Sequence, residues 1–198
     1  HWYRYHALFA DLLHTQLTRT LPELVTPLHL AAYHWLKDND FPEKAVTHAF
    51  AAGEHELAAE TIEDCAMQAI IHLDLATVLQ WFKLLPQTQV MKRLRLMVYY
   101  ALVNLMLGKG EELQEQLNSI EQGLADMSNS MTYVDEVACL TRYVNAVRAA
   151  EVCMRGDFSL GLHISQEALD NFLPEDYFFL GLVEHYMGYA YQAAGRLS

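Results

Sequence analysis

Five residues carry the side chains that a small polar ligand would use. Tyr143 and Tyr189 offer aromatic faces, Arg95 a cation, Gln192 an amide and His185 an imidazole. An aromatic, a cation and an amide around a groove bind a sugar or small metabolite by stacking plus a few hydrogen bonds. The spacing His185, Tyr189, Gln192 sets three of them on one face of a helix. Packing between neighbouring repeats is the competing role for the two tyrosines.

Other chemistry finds less support. There are ten histidines, but His48 and His55 lie across the Gly53 turn, and His29 and His34, five apart, fall on different helix faces. No HExxH or Cys-x-x-Cys pattern occurs, so no metal site is expected. No Ser or Cys stands in a glycine elbow. The carboxylate pairs Glu111/Glu112 and Glu63/Asp64 lie on faces expected to be solvated. "LGKGEE" (Leu107 to Glu112) has a Gly-Lys, but neither the preceding glycines nor the following Ser or Thr of a phosphate-binding loop. It reads as a helix–helix turn. These residues argue against an enzyme and give no catalytic or cofactor-binding residue in this segment.

Charge and hydropathy narrow the partners. The chain has 198 residues, 53% of them hydrophobic, which is too many for disorder. It has 13 Lys and Arg against 25 Asp and Glu, a net charge of −12. Nucleic-acid-binding domains show a basic patch or stripe. The nearest equivalent, "KRLR" (Lys92 to Arg95), reads as a solvated helix end, so no nucleic acid is expected to bind here. The longest apolar run is Leu96 to Val103, far short of the roughly 20 residues of a membrane span. No secretory signal marks the N-terminus. Three cysteines at irregular spacing (Cys65, Cys139, Cys153) suggest reduced, buried thiols in the cytoplasm.

Helices must position these residues. Leu180, Val183, Met187, Tyr191 and Ala194 recur at helical spacing, and no stretch alternates as a strand does. Pro42 and Glu43 fit a first helical turn. Gly53, Gly108, Gly156 and Gly195 fall where helices would stop. Asp74 and Asp157 are placed to cap helices, and Pro86 and Pro174 to close others. "SNS" (Ser128 to Ser130) is the longest turn-like cluster. The pattern predicts nine or ten helices with short connections.

The helices come in repeating units. "AEVCMRGDFSLGLHISQEALDNFLP" (Ala150 to Pro174) reads helix, Gly-Asp turn, helix, Pro. "GYAYQAAGRLS" (Gly188 to Ser198) begins the same unit again, with Gly156 and Gly195 39 residues apart. That is close to the 34-residue tetratricopeptide period. Aligned so, Ala149 and Gly188 take the small position where paired helices touch, and Ala168 that of the second helix. "ALVNLMLGKGEELQEQLNSIEQGL" (Ala101 to Leu124) has the same shape. In such arrays the first helix of each pair lines a concave groove. That register turns His185, Tyr189 and Gln192 inward, with Tyr143 one turn before the set around Ala149 and Arg95 one turn before the set around Ala101.

Three consecutive blocks resemble a known family. "FPEKAVTHAFAAGEHELAAETIEDCA" (Phe41 to Ala66), "LATVLQWFKLLPQTQV" (Leu75 to Val90) and "RLRLMVYYALVNLMLGKGEELQEQL" (Arg93 to Leu117) are similar to the first helical repeats of large ATP-dependent LuxR-family transcriptional regulators of the maltose-regulon-activator type. "WYRYHALFADLLHTQL" (Trp2 to Leu17) is similar to the end of that family's winged-helix domain. The resemblance covers residues 1 to 125, and the remainder only as generic helical repeat.

The resemblance implies an all-α, tetratricopeptide-like right-handed superhelix of antiparallel helix pairs. Residues 1–22 would be the C-terminal helix of a winged-helix domain, and 23–198 a helical-repeat sensor domain that stops within a repeat. It implies a cytoplasmic sensor region in which a small-molecule inducer or a regulatory protein shifts the population of an active state, with self-association in the full-length protein. ATP and DNA would be bound by a separate N-terminal module and a C-terminal helix-turn-helix. An interaction scaffold that takes a peptide or partner protein in the groove, with no small ligand, is the alternative.

Overall fold

The computed structural model describes residues 7–128, 133–193 and 195. Among these the chain has eleven α-helices and no strand. They are α1 (Ala7–Thr20), α2 (Val25–Asp38), α3 (Pro42–Ala52), α4 (His55–Ile71), α5 (Leu75–Leu84), α6 (Gln87–Met91), α7 (Leu94–Met106), α8 (Gly110–Ser128), α9 (Val134–Met154), α10 (Phe158–Leu169) and α11 (Tyr177–Ala193). Short 3-10 turns span Pro22–Leu24 and Pro174–Asp176. The all-α class expected from the helical period holds, and the packed helices are consistent with a helical-repeat superhelix. Trp2, Tyr3 and Tyr5 lie outside the described residues, as do Asn129 and Ser130 of the expected turn. No helix among the described residues is long and apolar enough to cross a membrane.

The helices form two units, His1–Cys65 with Leu84–Pro86, and Ala66–Lys83 with Gln87–Ser198. In the first, α3 starts at Pro42, whose fixed φ suits a first helical turn, and ends at Gly53. Its buried Ala45 and Ala49 let it lie close on α2. From α2, Tyr33 is 1% exposed, and its hydroxyl is satisfied by Thr61 Oγ1 at 3.0 Å. A buried hydroxyl needs that partner.

In the second unit α9 is the central helix, packed against α7, α8, α10 and α11. The run Leu96 to Val103 forms most of α7, and Leu96, Ala101, Leu102 and Val103 have no exposed surface. Gly108 and Gly156 end α7 and α9 with φ of +71° and +89°, conformations that cost any residue with a Cβ. The next amides then reach back, Lys109 N–H to Asn104 O at 2.9 Å and Asp157 N–H to Val152 O at 3.2 Å. Asp157 also caps α10 by accepting from Leu160 N–H at 3.2 Å. Asp74 accepts from Thr77 N–H at 3.3 Å at the start of α5. The pattern is two helix pairs, α7–α8 and α9–α10, followed by α11.

Three local features differ from the sequence reading. The 3-10 turn opened by Pro174 leads into α11, so this proline starts an element as well as following one. The chain after α4 turns through Leu73 at φ +60°, where no glycine signals the stop. Cys65 and Cys153 are buried, but Cys139 is only partly so.

Candidate functional site

Of the first helices of the repeats, α9 packs against both α7 and α11 in the second unit. Arg95 of α7 reaches Glu136 of α9, Nη2 to Oε1 at 3.4 Å. Burial alone would lower the Arg95 pKa, but Tyr99, Cys139 and Glu136 outweigh it and hold the guanidinium charged. Two turns along α9, Arg142 Nε donates to Asp176 Oδ2 at 2.7 Å. Asp176 lies in the turn before α11, and its side chain is 1% exposed. Leu173 N–H donates to the same oxygen at 3.0 Å. The α11 entry is thus tied to α9 by a charge-assisted bond shielded from water.

Tyr143 lies beside this pair. Its ring stacks on Phe179 of α11 with centroids 3.9 Å apart and planes 12° from parallel. Its hydroxyl is turned toward Cys139 and Asp176. Burial first, and then those two neighbours, push its pKa upward. Burial alone would raise the Asp176 carboxyl, but Arg142, Leu173 N–H and Tyr143 hold it below the ordinary carboxylate range. Asp176 Oδ1 is buried and makes no hydrogen bond. Cys139 of α9 lies between the two ion pairs, near enough to Arg95, Arg142 and the Tyr143 hydroxyl to influence each of them.

The five residues singled out in the sequence fall in two places. Arg95 and Tyr143 join this cluster through Cys139. His185, Tyr189 and Gln192 are exposed on α11. The Tyr189 ring meets Phe158 of α10 edge-on at 5.7 Å, and His185 meets Tyr186 at 5.3 Å. Tyr189 therefore touches the second helix of the preceding pair, and Tyr143 touches the first helix of the next.

Sequence reasoning missed Arg142, Asp176, Glu136 and Cys139. The one available signal was an Arg directly before Tyr143 on the groove-lining helix. It also missed a histidine pair in the first unit. His29 Nδ1 of α2 and His48 Nδ1 of α3 are 2.9 Å apart, with the rings at 5.1 Å. Among the described residues no group of three or more His, Cys, Asp or Glu is placed to hold a metal ion.

No family model matches the chain, and no solved structure matches it. Among curated proteins it is similar to the serine/threonine-protein kinase PknK of Mycobacterium tuberculosis, strains CDC 1551 / Oshkosh and ATCC 25618 / H37Rv, and of Mycobacterium bovis. Each is 32% identical over 123 residues. The match takes in 62% of this chain and 11% of each relative, so the chain corresponds to a small part of their length. The expectation that this chain is not an enzyme is contradicted by that finding, because the relatives it matches in part are serine/threonine-protein kinases by name. Of the expected kinship, the coarser part is what the match supports: the chain is similar to a segment of a mycobacterial serine/threonine-protein kinase.

Proposed function

We propose that this chain is the effector-sensing and partner-binding repeat region of a bacterial ATP-dependent LuxR-type regulator. Residues 1–22 are then the last helix of a winged-helix domain, and residues 23–198 the sensor. The observation that carries the reading is the cluster on α7, α9 and α11. Ion pairs, a stacked aromatic and a buried carboxylate oxygen without a hydrogen bond all converge on the faces where successive repeats meet. Such a cluster couples the repeats, and a ligand that supplies the missing donor changes how they pack. Similarity to a segment of a serine/threonine-protein kinase supports a regulatory role. In this reading ATP and DNA are handled by other modules of a longer protein, and the chain works in the cytoplasm.

A thermal-shift screen against sugars, nucleotides and common metabolites tests this. A ligand at 100 times its Kd adds about 2.7 kcal/mol, which at this size raises Tm by roughly 5 to 10 °C. A hit abolished by Arg95→Ala or Tyr189→Ala supports a small-molecule sensor. A flat screen on folded protein moves the role to a protein partner.

A further inference from the structure

A cleft lies where α7 and α9 finish and α8 begins. Its volume is about 180 Å³, and its walls include Leu105, Lys109, Leu113, Glu151, Met154 and Arg155. Glu151 is 2% exposed, and neither carboxylate oxygen makes a hydrogen bond. Arg155 Nε forms an ion pair with Oε1 at 2.6 Å, and Oε2 has no hydrogen-bond partner. Arg155 meets the Glu151 charge at one oxygen, and the buried Oε2 is left short of a donor, which an ammonium N–H supplies.

The opposite wall has the opposite character. Gly110 opens the 19-residue α8 and lines the cleft, preceded by Lys109. Lys109 has no side-chain acceptor to cap the helix, so the first-turn amides and the helix dipole present positive character there. The cleft therefore rejects a simple anion, which Glu151 repels, and a simple cation, which Lys109 and Arg155 repel. Leu105, Leu113 and Met154 supply an apolar surface between the two. In size it resembles the ~150 Å³ engineered cavity that takes up benzene, so a molecule of six to nine heavy atoms, a number on the scale of that ligand, fits.

We propose that this cleft binds a free α-amino acid with an apolar side chain. The ammonium group donates to Glu151, the carboxylate accepts from the α8 N-terminus and Lys109, and the side chain packs on Leu105, Leu113 and Met154. The proposal rests on the sensing reading and names one effector class for it.

Titration calorimetry of the chain with L-leucine and L-methionine is the test, alongside 3-methylbutylamine and 4-methylpentanoate, which lack one charged group each. The expected result is binding of an amino acid, with both analogues weaker by about tenfold or more, the scale of one lost charged hydrogen bond. Glu151→Gln, which keeps the side-chain shape, weakens it by a similar factor, as does Lys109→Ala at an exposed position where folding is not at stake. No binding at millimolar amino acid overturns the proposal, as does binding indifferent to both substitutions. A chain that ignores amino acids yet is stabilised by a sugar or nucleotide, and loses that in Arg95→Ala, overturns this site and leaves the sensing reading standing.

Discussion

Tyr143 of α9 lies flat on Phe179 of α11, 3.9 Å between ring centroids, and this stack joins two successive repeats. Stacked aromatic pairs contribute beyond the area they bury. Phe179 is 1% exposed, whereas Tyr143 keeps one edge in solvent. Tyr143→Ala should cost roughly 2 to 4 kcal/mol, slightly below a fully buried aromatic. Tyr143→Phe keeps the stack and removes only the hydroxyl, and should cost about 1 kcal/mol or less. Urea unfolding with the slope held common measures both, and equal losses would mean that the hydroxyl rather than the stack matters.

The Arg142–Asp176 bond predicts an acid-sensitive join between α9 and α11. The folded carboxyl titrates below its ordinary value of 3.8, so the unfolded chain binds more protons as pH falls. Its stabilisation is complete above about pH 4 and is lost as pH drops through the folded pKa. Asp176→Asn should flatten that limb of the stability curve. At pH 7 it should cost about 3 to 5 kcal/mol, because Arg142 is left largely buried and unpaired. An unchanged acid limb in Asp176→Asn would place the sensitivity elsewhere.

Local signals carried most of the architecture. Gly108 and Gly156 are legible because the left-handed turn excludes most other residues, and Asp157 because its carboxylate caps the next helix. The turn after α4 was not legible, because Leu73 adopts φ +60° without the residue type that advertises it. The site was less legible than the helices. Arg142 and Asp176 are 34 residues apart, and what joins them is how α10 and the Pro174 turn fold back, which no periodicity encodes. His29 and His48 were weighed only against near neighbours in sequence. Their true partners are each other, across 19 residues. Glu151 looked like any helix glutamate, since a short sequence window does not show burial.

That histidine pair predicts a second pH dependence, nearer neutrality. Burial first, and the neighbouring His29 second, lower the His48 pKa from 6.5. The folded state therefore prefers His48 neutral, and the unfolded state binds the extra proton first. Stability contributed here is full above about pH 6.5 and declines as pH falls toward the folded pKa. His48→Gln should remove that decline in a series of melting curves between pH 7 and 5. A series as steep in the variant as in the parent would show that the pair does not titrate with folding.

A tight contact between α9 and α10 gives the last prediction. Gly161 of α10 sits against α9, and a Cβ built on it would overlap Cys153 Sγ and press on the Cys153 backbone nitrogen. Cys153 has no exposed surface, and its thiol is held up in pKa by burial and then by Asp157, so it stays a neutral packing group. Gly161→Ala should therefore destabilise by roughly 1 to 3 kcal/mol through overpacking, against the ~1 kcal/mol gain that alanine brings to a solvent-exposed helix position. Cys153→Ala removes the overlapping sulfur, so the double substitution should recover part of the loss, and a coupling of about 1 kcal/mol is the scale for residues in contact. Strict additivity of the two changes would mean that α10 moves away from α9 to make room, and that the contact is softer than its geometry.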